Sequence, residues 1–199
     1  DSQLDSKSGA NSDARIANPL ALNMYLLGFD ANKKLVTVNQ AVKENVQTYL
    51  TQFRMVTDAV NIKDAFVINI GVKFNLLTKV GYNKEEVVLR AIQRVRDFFN
   101  IDNWQIGQPI VLADLAYELS LVNGVSSVVP PEENNPNGHP VLITNKFKVS
   151  GGYSGNAYDI VSATKDGVVY PSLDPSCFEL KFPNTDIEGR VVGNTSGGN

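Results

Sequence analysis

Apolar and polar residues alternate along the chain from Phe66 to Leu76. Every even position in this stretch is apolar, while the odd positions include Asn69, Lys73 and Asn75. Successive side chains of a β-strand point to opposite faces of the sheet, so this alternation is typical of a strand. The pattern therefore predicts one long strand with a buried face and a solvent-exposed face.

A helical pattern follows this strand. It begins after Asn83, a suitable N-cap residue, and carries Glu85 and Glu86 in its first turn, where the helix dipole favours carboxylates. Apolar residues then recur at helical spacing at Val88, Ala91, Ile92, Val95, Phe98 and Phe99. The stretch predicts an amphipathic helix that packs on the strand.

A second helix is predicted after the link Trp104–Ile110. Its end is marked by Asn123 and Gly124, because glycine readily adopts the left-handed conformation that terminates helices. The β-branched run Val125–Val129 then predicts a strand, which Pro130 ends.

The N-terminal part adds one strand and one helix to this series. Leu22–Phe29 reads as a strand, and Thr37 and Gln40 form a capping box for a helix that runs to about Phe53. The order strand, helix, strand, helix, helix, strand predicts an α+β fold, a small mixed sheet with helices packed on one face.

The residue pattern changes after Val129, where a loop rich in proline and asparagine leads into short apolar runs separated by turn residues. Strands are expected there at Val141–Val149, Tyr158–Val161, Val168–Tyr170 and Cys177–Phe182. The predicted organisation is a flexible arm (1–15), an α+β domain (16–130), a β-rich extension (131–192) and a disordered tail (193–199).

Composition sets limits on partners and cofactors. The net charge is −3, which gives no electrostatic reason to bind nucleic acid or an anionic membrane, so neither is expected as a partner. The single cysteine, Cys177, excludes an intrachain disulfide. No apolar run approaches the roughly 20 residues that a membrane-spanning helix needs.

Candidate chemistry is sparse. His139 is the only histidine, so neither a histidine-based zinc site nor a serine–histidine–aspartate triad is supported. Ser150–Gly155 lacks the lysine of a phosphate-binding loop, and Asp58 and Asp64 fit cap and turn roles better than paired catalytic carboxylates. We therefore predict no enzyme activity, with no catalytic residue, no cofactor or cofactor-binding residue, and no metal ligand.

Four segments in a fixed order carry a family resemblance: Arg54–Val60, Val67–Val72, Phe98–Ile110 and Asn123–Val125. Together they resemble the extended "R-x-V-T-D", the long strand, the "F-N…W-x-x-G-x-P-I" link and the "x-G-V" stop of the baseplate J-like proteins of contractile phage tails. The resemblance covers about residues 22 to 130.

This resemblance implies a late-expressed structural subunit of the virion, located in the tail baseplate and assembled in the bacterial host cytoplasm. The implied partners are other copies, as a homodimer or a higher ring oligomer, and other baseplate wedge and hub-proximal proteins. Contact residues cannot be carried over by motif. On physical grounds, the candidates for an interface are Trp104, Tyr117, Asn134, Asn135, His139 and Tyr153.

Two other classes remain open. Because the chain begins with Asp1, we expect a fragment or a processed product, so a small α/β enzyme or ligand-binding domain with its site in the missing part is the main alternative. That alternative predicts a concave pocket with convergent polar groups. A carbohydrate-binding module at residues 141–199 would require clustered exposed aromatic residues, for which Tyr153, Tyr158 and Tyr170 are the candidates.

Overall fold

The computed structural model describes residues 22–53, 60–132, 135 and 138–194. These form two compact units. The smaller contains the described residues of Asp1–Tyr25 and Asn39–Lys63, and the larger those of Leu26–Val38 and Asp64–Asn199. Helices and strands mix along the chain, so the fold is of the predicted α+β class.

The elements are as follows in chain order. The strands are β1 Leu22–Leu26, β2 Gly28–Phe29, β3 Leu35–Val36, β4 Val60–Asp64, β5 Phe66–Thr78, β6 Ile110–Val111, β7 Val125–Val129, β8 Val141–Asn145, β9 Thr164–Lys165, β10 Val168–Val169, β11 Ser176–Glu179 and β12 Ile187–Asn194. The helices are α1 Gln40–Thr51, α2 Lys84–Phe98, α3 Leu112–Ser120, α4 Ile160–Ala163 and α5 Pro183–Asp186.

Helix α1 dominates the smaller unit. Its N-cap is Asn39, whose Oδ1 accepts a hydrogen bond from the Val42 N–H at 2.9 Å. The predicted capping box of Thr37 and Gln40 is therefore wrong, because Gln40 is already the first helical residue. In the same unit the Gln47 side chain donates to the Val60 carbonyl at 3.4 Å.

Strand β5 is the centre of the larger unit. Each of its edges is long enough to hold two strands end to end: β8 and β7 lie antiparallel along one edge, and β11 and β12 lie parallel along the other. The result is a mixed sheet, as predicted, with β5 paired on both sides along most of its length. The strand Phe66–Leu76 expected from the alternation is confirmed and runs two residues further, to Thr78.

Helices α2 and α3 cover one face of this sheet. The side chains of Ile70, Val72, Phe74 and Leu76 are at most 1% exposed and form one core cluster with residues of both helices. The helix residues in that cluster include Val87, Ala91, Val95, Leu112, Leu115 and Leu119. Burial of one such side chain contributes about 1.5–3 kcal/mol, which makes this face the main stabilising contact of the unit. The N-cap role of Asn83 is confirmed, since its Oδ1 accepts from the Glu85 N–H at 2.9 Å.

The other face of β5 departs from the prediction. Asn69 was expected on the solvent-exposed face, yet it is buried, as are Val67 and Gly71 on the same face. Phe66, expected on the buried face, is 48% exposed. The cause is that other segments of the chain cover this face along the N-terminal half of β5. Leu35 of β3 packs with Val67, and the backbone N–H of Ser154 donates to Asn69.

The segment after Val129 is joined to the same sheet, because β8, β11 and β12 all pair with β5. The strand expected at Tyr158–Val161 is wrong, since the short helix α4 begins there instead. Asp159 caps that helix by accepting from the Ser162 N–H at 3.1 Å, a local interaction that competes with an extended backbone.

Candidate functional site

Trp104 follows α2 and lies partly inside the core. Its ring stacks on Phe99, with centroids 5.3 Å apart, and meets Phe98 edge to face. The indole N–H donates to the Phe98 carbonyl at 3.0 Å. A partly buried indole N–H needs an acceptor, and the residue six positions earlier supplies it.

Asn135 and His139 are brought into direct contact by the loop that follows β7. The Asn135 Oδ1 accepts from the His139 N–H at 3.0 Å, and its Nδ2 donates to the carbonyls of His139 at 2.8 Å and Pro131 at 3.0 Å. Asn135 therefore closes the loop with three hydrogen bonds. The remaining loop candidate, Asn134, lies outside the described residues.

Tyr153 and Tyr117 lie in different surroundings. The Tyr153 hydroxyl donates to the Asp186 carboxylate at 2.5 Å, and its ring meets Phe182 edge to face. Burial and this hydrogen bond raise the pKa of Tyr153 to about 12. Tyr117, on α3, is 62% exposed, and no ring contact involves it among the described residues. Tyr153 therefore ties its loop to α5, whereas Tyr117 presents most of its ring to solvent.

The structure contains a buried polar network that the sequence pattern did not predict. Glu179 is 2% exposed, and its carboxylate accepts from the Leu35 N–H and from the Asn69 Nδ2, each at 2.7 Å. Asn69 in turn accepts from the Ser154 N–H at 2.8 Å. Burial raises the pKa of Glu179, although these hydrogen bonds favour its ionised form. The network joins β3, β5, β11 and the Ser154 loop.

The signal that would have revealed this network is the placement of polar residues inside apolar runs. Glu179 follows Cys177-Phe178 and precedes Leu180, and Asn69 lies between two isoleucines. A carboxylate or an amide in such a run must find hydrogen-bond partners when the run is buried.

Two of the open hollows on the described part of the larger unit are bordered by charged side chains. One, of about 330 Å³, is bordered by Lys33, Lys34, Arg96, Asn100 and Glu179, among others. The second, of about 360 Å³, lies on the face of the sheet opposite α2 and α3, beside Lys73 and Asn75. In it the Lys73 ammonium pairs with the Glu188 carboxylate at 3.0 Å, and Arg190 and Val192 lie alongside.

Helix α1 presents an apolar stripe to solvent. None of its residues is buried, and Val42 and Tyr49 are 44% and 61% exposed. Phe53, just beyond the helix, is 71% exposed, and its ring packs only on Tyr49 among described aromatic residues, with centroids 4.9 Å apart. Val46 and Leu50 on the same side of the helix are half-buried, so among the described residues this apolar stripe is only partly covered.

No protein-family model matches this chain, and no curated protein matches it either. Within the described ranges, no group of three or more histidine, cysteine, aspartate or glutamate side chains is arranged to hold a metal ion. Across the same residues, no helix has both the length and the apolar content needed to cross a membrane.

Proposed function

We propose that this chain is a structural subunit of a contractile phage tail baseplate, most similar to the C-terminal part of the large baseplate wedge protein of T-even-like phages. In this proposal it belongs to the virion and is assembled in the bacterial host cytoplasm. Its work is to hold the baseplate ring through contacts with its own copies and with other wedge and hub-proximal proteins.

The observation that carries this proposal is the exposed stripe of α1. A helix of 12 residues is only marginally stable in water without tertiary packing. Val42 nevertheless stays 44% exposed, and Tyr49 and Phe53 stay 61% and 71% exposed. An apolar helix face of this kind is typical of a surface that another protein covers.

The larger unit supports the same proposal through the order of its parts. The long strand β5, helix α2, the Trp104 link, helix α3 and strand β7 follow one another as in the resemblance to baseplate proteins. Glu179 and Tyr153, whose pKa values are raised, also have structural roles, because each joins separate segments by hydrogen bonds. Such an arrangement suits a rigid module that positions its contact surfaces for other subunits.

A second candidate function has one observation in its favour. The hollow beside Lys34 and Arg96 has convergent polar groups and borders Glu179, a carboxyl group with a raised pKa. These are features of a ligand-binding site. If the hollow binds a ligand, that ligand should raise the melting temperature of the parent, and Lys34→Ala or Arg96→Ala should abolish the rise. A purely structural hollow would show no such rise in the parent.

Sedimentation velocity of the full chain over a wide concentration range tests the main proposal. We expect a concentration-dependent shift from monomer to dimer or larger species, or a complex when wedge or hub-proximal proteins are added. A chain that remains monomeric at every concentration and binds none of these proteins contradicts the proposal.

A further inference from the structure

Strand β12 forms an open edge of the central sheet. It is the longest strand after β5, and among the described residues no strand pairs with its outer side. Two other outer strands of this sheet are interrupted or covered: β7 runs into Pro130 and Pro131, and the Ser176 carbonyl of β11 accepts from the Gly107 N–H at 2.8 Å. An open edge offers unpaired N–H and C=O groups to a further strand.

The charges on β12 are complementary to those of a second β12 that runs in the opposite direction. Glu188 and Arg190 are two residues apart, so they lie on the same face of the strand, on either side of Gly189. If a two-fold axis passes at Gly189, Glu188 of each copy lies opposite Arg190 of the other. Opposite charges that face each other across an antiparallel pair attract.

The same register also matches apolar residues. It places Ile187 of one copy opposite Val191 of the other, on the face of the sheet that α2 and α3 cover. The pairing of β12 with β5 then shifts register between Val191 and Gly193. A bulge of this kind bends a strand and ends regular pairing, so the matched segment is Ile187–Val191.

We propose that two copies of this chain associate by antiparallel pairing of their β12 strands, with the two-fold axis at Gly189. The central sheets of the two copies then become one continuous sheet. This inference rests on the proposed function, because it names one surface through which copies of the subunit contact each other.

Charge reversal tests the register. In Glu188→Arg, positions 188 and 190 are both arginine, so the two arginines of one copy face the two of the other. In Arg190→Glu both positions are glutamate, so glutamates face each other in the same way. Each single variant should self-associate about tenfold more weakly than the parent, because like charges directly opposite each other are destabilising. The double variant E188R/R190E restores opposite charges and should recover the parent's association. Equimolar mixing of the two single variants should yield a heterodimer that neither forms alone.

Lys73→Ala is the matched control, because it removes the partner of Glu188 within one chain and leaves the charges across the proposed pair unchanged. It should shift self-association by no more than about twofold. Sedimentation velocity on all variants gives the readout, with circular dichroism to verify that each is folded.

The outcomes separate the two proposals. If the parent self-associates but the single variants do so equally well, or if mixing yields no heterodimer, pairing through β12 is wrong while self-association stands. If the parent chain is monomeric at all concentrations, pairing through β12 is also wrong. Only the further failure to bind any baseplate protein would then remove the proposed function.

Discussion

The Asn69 Nδ2 donates a hydrogen bond to the Glu179 carboxylate at 2.7 Å, in a site where both residues are at most 2% exposed. These residues lie in neighbouring parallel strands and are each the other's register partner. The pair therefore joins β5 to β11 through side chains as well as through the backbone.

Asn69→Ala should be strongly destabilising. It leaves the Glu179 carboxylate with one fewer donor and the Ser154 N–H without its acceptor. Each of the two affected groups costs about 1–3 kcal/mol, so we expect a loss of about 2–6 kcal/mol in urea unfolding. Asn75→Ala is the control from a half-buried position further along the same strand and should cost less than about 1 kcal/mol. Equal losses for the two variants would show that the network does not stabilise the fold.

The raised pKa of Glu179 predicts a pH dependence. Burial makes the native state hold this proton more tightly than the unfolded state does, although Lys34 and Lys181 nearby act in the opposite direction. Between the ordinary pKa of 4.5 and the higher native pKa, Glu179 therefore contributes a stability that falls as the pH rises.

Glu179→Gln isolates this contribution. The free energy of unfolding of the parent minus that of Glu179→Gln should decrease as the pH increases above 4.5. Chemical denaturation at a series of pH values provides both numbers. A difference that stays constant, or that grows with pH, would contradict the predicted direction of the pKa shift.

Two even positions of β5 should respond very differently to truncation. Ile70 is 0% exposed, so Ile70→Ala should cost about 2–5 kcal/mol, and Ile70→Asp should unfold the domain because it buries an unpaired charge. Phe66 is 48% exposed, and Phe66→Ala should cost less than Ile70→Ala. Thermal melting of the three variants checks this, and an Ile70→Asp variant that melts within a degree or two of the parent would contradict the strand assignment.

Gly124 should tolerate no side chain. Its φ is +96°, and an added Cβ would lie 2.7 Å from atoms of Tyr82 and Val87. Gly107, with a φ of +79° and nothing within 4 Å of its Cβ position, separates backbone strain from steric clash. Gly107→Ala should cost about 1–2 kcal/mol, and Gly124→Ala about 1–3 kcal/mol more, as measured by urea unfolding. Equal costs would mean that the Tyr82 and Val87 side chains move away without penalty.

The stripe of α1 should affect association more than folding. Tyr49→Ser removes an exposed ring, so the larger unit should unfold as in the parent while binding to copies or to baseplate proteins weakens. Thr51→Ala, on the opposite side of the helix, is the control and should bind as the parent does. The proposal would lose its main support if both variants bound partners equally well.

Local signals in the sequence were sufficient to predict much of the fold. Alternation identified β5, Asn83 identified the start of α2, and Val125–Val129 was predicted with its observed bounds. Each of these depends on neighbours in the sequence, through side-chain period, capping or β-branching.

Interactions between distant segments could not be predicted in the same way. Asn69 is buried because Glu179 and Ser154, far along the chain, supply its partners, and the period of a strand carries no information about them. The candidate interface residues share this difficulty. The loop position of Asn135 could be read from the sequence, but its three hydrogen bonds across the loop could not.

Electron microscopy of an assembled contractile-tailed particle that carries this protein tests the central claim most directly. We expect density for the larger unit in the baseplate ring, repeated by the symmetry of the ring and in contact with further copies or with neighbouring wedge proteins. Particles that assemble complete baseplates without density for this chain would contradict the proposed role.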